Sequence, residues 1–155
     1  MNSILNWIKR KQNADNPSAT GAYPKPEEAH HHPVRAEVLL VEDDPAQLEF
    51  TTGLLRMQGA IVTPARNIAE ALEAIASPVR FQLAFVDLNL ANSSGVEVVR
   101  RIKESKRGTH PVIVSADFEK IQQCLPWGYV GVLTKPFTVG AIRDVLRSHR
   151  LPTTD

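Results

Sequence analysis

Residues 38–45 read Val-Leu-Leu-Val-Glu-Asp-Asp-Pro. The first four side chains are apolar and do not alternate with polar ones, as expected of a strand covered on both faces. The run ends on three acids, and Pro45 then suits the first turn of a helix. One strand, an acidic turn and one helix thus follow within a dozen residues.

Toward the N-terminus the pattern stops. Residues 12–36 contain Pro17, Pro24, Pro26, Pro33 and three consecutive histidines, His30 to His32. Few large apolar side chains are available there to offset ordering entropy, so residues 1–36 read as a flexible extension. Within it, Ile4, Leu5, Trp7 and Ile8 beside Lys9, Arg10 and Lys11 make residues 3–11 a short amphipathic segment that suits a membrane surface or a partner. Any membrane contact is expected only there.

Toward the C-terminus the strand and helix signals alternate. Leu48, Leu54, Leu55 and Met57 follow at broadly helical spacing until Gly59. A strand is expected over Ala60–Ala65 and a helix over Ile68–Ala76, with Ile68, Ala71, Leu72 and Ile75 on one face. Phe81–Val86 is a third apolar strand that runs into Asp87. A helix follows over Val96–Lys106, with Val96, Val99 and Ile102 inward. Pro111–Val114 is a strand ending at Ser115, and Phe118–Leu125 a short helix carrying Ile121 and Leu125. Val130–Leu133 is a strand ending at Thr134 and Lys135, and Val139–Arg150 the last helix, with Ile142, Val145 and Leu146 inward. Five short apolar strands alternating with five helices predict an α/β fold, an open five-stranded parallel sheet with helices on both faces.

Composition narrows the function. The chain has 155 residues, 43% hydrophobic and 23% charged, with a net charge of +1, so it can form a core and has no general nucleic-acid character. No apolar run approaches the ~20 residues of a membrane span. Cys124 is the single cysteine, so no internal disulfide exists, and a cytoplasmic setting fits.

In a parallel sheet the strand carboxyl ends lie along one edge, where such folds bind ligands. Glu42, Asp43, Asp44, Asp87, Ser115 and Lys135 all fall there. Clustered carboxylates repel one another, and a hard divalent cation such as Mg²⁺ relieves that repulsion. A carboxylate also acts as a nucleophile toward a phosphoryl group, whose oxygens an ammonium and a hydroxyl stabilise.

Over about Glu37 to Arg150 the chain resembles the receiver domain of two-component response regulators. The residues that carry the resemblance are Val38-Leu-Leu-Val-Glu-Asp-Asp-Pro45, Phe85-Val-Asp-Leu-Asn-Leu-Ala91 with Gly95 eight residues after Asp87, Val112-Ile-Val-Ser-Ala116, and Leu133-Thr-Lys-Pro-Phe137. The resemblance implies a flavodoxin-like (βα)5 receiver fold over residues 37–150, with 151–155 a short tail. It implies that Asp87 is phosphorylated by a histidine kinase or phosphotransfer protein, that Ser115 and Lys135 contact the phosphoryl group, and that the Lys135–Pro136 bond is cis. Mg²⁺ would be held by Glu42, Asp43, Asp87 and the Asn89 carbonyl. Asp44 would face away, although a register in which Asp43 and Asp44 form the acidic pair is also open. Asn89 and Asp117 occupy positions that tune phosphoryl lifetime in the family.

The chain departs from the family at Val132, where many members carry a Tyr or Phe that rotates with the Ser or Thr. Ala91 and Leu90 replace a frequent proline and methionine in the loop. The expectation is a stand-alone receiver, a phosphoacceptor that assists its own phosphotransfer and dephosphorylation rather than a separate enzyme. It would signal by protein–protein contact or relay through its fourth helix, fifth strand and fifth helix. The alternative is a receiver-type binding module that is never phosphorylated. An aspartate-dependent phosphatase would place Asp-x-Asp after the first strand; here Asp87 follows the third, and Asn89 stands two residues on.

Overall fold

The computed structural model describes residues 35–149. The readings placed on residues 3–11, on His30 to His32 and on residues 151–155 lie outside them. Five parallel strands form one sheet: β1 (Glu37–Val41), β2 (Ile61–Ala65), β3 (Leu83–Asp87), β4 (His110–Val114) and β5 (Gly131–Leu133). Their order across the sheet is β2-β1-β3-β4-β5. The helices are α1 (Pro45–Met57), α2 (Ile68–Ala76), α3 (Val96–Glu104), α4 (Phe118–Cys124) and α5 (Val139–Ser148). This is the predicted flavodoxin-like architecture.

Strand alternation explains why both faces are covered. Val38, Leu40, Leu83, Phe85, Val112 and Val114 point into one apolar cluster, which Leu48, Leu55, Ile142 and Leu146 of α1 and α5 close. Leu39, Val41, Ala84, Val86 and Ile113 point into the other, closed by Ala71, Val98, Val99, Ile102 and Cys124 of α2, α3 and α4. Apolar residues at both phases of the strand period therefore read as unbroken runs. The edge strand β2 has one neighbouring strand, and its exposed Ile61 and Pro64 fit that position.

Local signals set the helix starts. Asp44, Asn67, Asp117 and Thr138 each accept a bond from the backbone N–H three residues on, capping α1, α2, α4 and α5. Gly59, at φ +90°, lets the chain turn after α1.

The end of one expected helix is corrected. Leu125 lies one residue past α4 and is 54% exposed, because the chain turns there and Trp127 and Gly128 donate back to the Cys124 carbonyl. On α3 Val99 and Ile102 are buried and Val96 packs against the second cluster as expected, and Val98 is buried as well. An apolar stripe at i, i+1 and i+4 is broader than the three-residue step read from sequence.

Cys124 fills the second cluster, and burial pushes its thiol up to about 11. At pH 8 the thiolate population is then roughly a hundredfold below that of an ordinary cysteine. Alkylation by iodoacetamide, followed by mass spectrometry, is expected to be at least about a hundredfold slower in the folded chain than in urea. Comparable rates would show that Cys124 is accessible.

Candidate functional site

The carboxyl ends of β1, β3, β4 and β5 bring the singled-out side chains together. Asp87 is the last residue of β3 and is 3% exposed. Glu42 follows β1 and is 4% exposed; Ser115 follows β4 and is buried. Lys135 follows β5 by two residues, and its bond to Pro136 is cis.

Lys135 is the hub. Its Nζ donates to Asp87 Oδ2 at 2.6 Å and to Glu42 Oε2 at 2.7 Å. It also donates to Gln47 Oε1 at 2.7 Å. Burial alone would lower the Lys135 pKa, but the bonds to Asp87 and Glu42 outweigh it and hold the ammonium above its ordinary value. Glu42 is pushed above the ordinary carboxylate range, chiefly by burial and also by the Asp87 charge. The Lys135 bond and the Asp44 N–H oppose that shift.

Gln47 was not anticipated. A polar residue in the first turn of a helix looks solvated in sequence, and only the return of the chain at Lys135 gives it a partner.

Glu42, Asp43 and Asp87 each offer one carboxylate oxygen, all within 4.8 Å of one another. Asp44 stands apart from this group, because its side chain accepts the Gln47 N–H at 2.8 Å and caps α1. Asp43 Oδ2 accepts from the Ala91 N–H at 2.7 Å. Three oxygen donors of like charge, two of them buried and one neutralising ammonium between those two, make a set that a hard divalent cation fits.

The loop after β3 is shaped for close approach. Asn89–Leu90 and Ser93–Ser94 pair as a short antiparallel ribbon that the sequence did not suggest. The Asn89 N–H donates to Asp87 Oδ1 at 2.7 Å. The Gly95 N–H donates to the Leu88 carbonyl at 3.2 Å, folding the loop onto the end of β3. On the other side, the Asp117 N–H donates to Ser115 Oγ at 3.0 Å, which leaves the hydroxyl proton free for an incoming oxygen. Lys120 of α4 reaches across to Asn89 Oδ1 at 2.6 Å.

Beside Lys135 lies a groove of about 430 Å³ lined by Gln47, Phe50, Thr51, Pro136 and Phe137. Phe118, Leu125 and Val132, on α4, just after it and on β5, are exposed at 71%, 54% and 37%. Among the described residues, no helix is long and apolar enough to cross a membrane.

Residues 38–147 match the family model described as the response regulator receiver domain. The chain is 30% identical over 117 residues to the response regulator protein PilR of Pseudomonas aeruginosa, covering 72% of this chain and 25% of that protein. It spans a quarter to less than half of the length of the curated relatives it first matches. Among solved structures, the chemotaxis protein CheY4 of Vibrio cholerae superposes with a TM-score of 0.68 at 25% identity, over 74% of this chain and 98% of that one. The receiver domain of a sensor histidine kinase from Pseudomonas aeruginosa, with a magnesium ion coordinated in its active-site cleft, gives 0.67 at 25% identity, over 75% and 98%.

Proposed function

The chain belongs to the response regulator receiver domain family, and from that premise we propose that Asp87 accepts a phosphoryl group from a phosphohistidine of a histidine kinase or phosphotransfer protein. An Asp87 carboxylate oxygen attacks the phosphorus, the P–N bond breaks, and its electron pair returns to the imidazole. Lys135 Nζ and the Ser115 hydroxyl meet the transferring oxygens. Glu42, Asp43, Asp87 and the Asn89 carbonyl would hold Mg²⁺, which would neutralise charge on the phosphoryl group.

The observation that carries this reading is the placement of Lys135 Nζ 2.6 Å from Asp87 Oδ2, inside a carboxylate set that suits a divalent cation. A structural ion pair alone needs neither the third carboxylate nor the turned-back loop at Gly95. The signal would then pass by protein contact or relay. The exposed apolar residues Phe118, Leu125 and Val132 support the α4–β5–α5 side as the partner face. With Val132 there, the partner meets an open strand edge instead of an aromatic ring.

Incubation with acetyl phosphate or phosphoramidate and Mg²⁺ tests the reading. A base-labile gain of one phosphoryl group, mapped to Asp87 and absent from Asp87→Asn, is expected. No adduct on the native chain would leave the constitutive binding module as the reading to adopt.

A further inference from the structure

Lys120 takes no part in the scheme above, yet its ammonium is 2.6 Å from the Asn89 carboxamide oxygen, joining α4 to the ribbon after β3. Asn89 is held at its other end too, by its N–H on Asp87 Oδ1 at 2.7 Å. Lys120 itself is fixed on the first turn of α4, where its N–H donates to the Asp117 side chain, and the Asp117 N–H rests on Ser115 Oγ. The pair therefore completes a chain of contacts that runs Asp87, Asn89, Lys120, Asp117, Ser115.

We propose that Lys120 is a positioning residue for the phosphorylated state: by pinning the Asn89 side chain to α4 it keeps water away from the phosphoryl group on Asp87. This rests on Asp87 being the phosphoacceptor. In hydrolysis a water oxygen attacks the phosphorus opposite the Asp87 oxygen. The P–O bond to Asp87 breaks, its electron pair returns to the carboxylate, and inorganic phosphate leaves with the water's remaining hydrogen while a proton passes to solvent. That attack comes from outside the strand ends, through the gap between the ribbon and α4. With its backbone N–H on Asp87 Oδ1 and its carboxamide oxygen on Lys120, Asn89 stays over that approach; without Lys120 the carboxamide is free to rotate into solvent.

Asn89 is exposed and Lys120 only half-buried, so the clamp adds little to global stability and acts on the rate.

The test is the decay of the Asp87 adduct after phosphodonor removal, at saturating Mg²⁺. Lys120→Met is expected to shorten the half-life roughly three- to tenfold, the size of one charge-assisted hydrogen bond converted to rate. Lys120→Arg, which keeps a donor on a long stem, should restore most of it. Asn89→Ala should decay as fast as Lys120→Met, and the double variant no faster than either. Thermal midpoints should coincide with the native value, whereas a merely structural role would lower them.

An unchanged or lengthened half-life in Lys120→Met, failure of Lys120→Arg to rescue, or additive effects in the double variant would overturn the clamp while leaving the phosphoacceptor reading intact. Absence of any adduct on the native chain would overturn both.

Discussion

Lys135→Met is expected to slow phosphorylation of Asp87 by at least about a hundredfold, the cost of removing one preorganised donor to developing charge. It should also lower stability at neutral pH by about 2 kcal/mol. The second effect follows from what the ammonium leaves behind. It bonds Asp87 and Glu42 at 2.6 and 2.7 Å, and those side chains are only 4% and 6% exposed. Breaking a fully buried pair costs more, but Lys135 is itself 27% exposed and partly hydrated.

The pH dependence has a definite sign. Burial already holds Glu42 above the ordinary carboxylate range. Without the Lys135 bond, which opposes that shift, it rises further. A carboxyl with a raised folded pKa binds more protons folded than unfolded, so stability falls as pH rises from the ordinary carboxylate range through the folded value. The loss in Lys135→Met should therefore be larger at pH 7.5 than at pH 5, and millimolar Mg²⁺ should recover part of it at pH 7.5. Urea unfolding of both proteins at the two pH values, with and without Mg²⁺, measures this. An equal loss at both pH values would show that Lys135 does not offset these charges.

Gly95→Ala should be nearly as damaging without touching a charge. A Cβ there would overlap the Asp87 carbonyl oxygen and lie 2.9 Å from both the Asp87 carbonyl carbon and Leu88 Cα. All three are backbone atoms and cannot rotate aside. Gly95 sits at an ordinary right-handed φ of −61°, so the requirement is for space alone. To admit the methyl group, either the turn after β3 opens and moves Asp87, or α3 lifts with buried Val98, Val99 and Ile102. A loss of about 2–3 kcal/mol is expected, as for overpacking, together with at least a tenfold slower phosphorylation. Gly53→Ala on α1 is the control, because a Cβ there meets nothing within 4 Å and should stabilise by about 0.5–1 kcal/mol. Unperturbed phosphorylation in Gly95→Ala would mean that the loop yields without moving Asp87.

What was legible in sequence had a local cause. Strands β1, β3 and β4 are apolar at both phases because both their faces are covered. The acids, Ser115 and Lys135 could be gathered before any coordinates, since parallel strands put their ends on one edge. The hidden parts depend on the return of distant chain. Gln47 and Lys120 look like solvated helix residues until Lys135 and Asn89 come opposite them. The ribbon has two residues per arm, too few for any periodicity. Whether Glu42 or Asp44 joins Asp43 turns on a cap bond, which no apolar pattern reports.

The three-residue β5 has consequences for folding order. Among the described residues it forms one edge of the sheet and pairs only with β4. Lys135, just beyond it, must find Glu42 across 93 positions of chain. Short edge elements open at less than the global free energy, and distant contacts close late. In the proposed scheme, competence requires β5 to be docked on β4. A chain with β5 detached still presents Asp87, but without its ammonium. On the phosphoacceptor reading, readiness to be phosphorylated would then report an assembled domain.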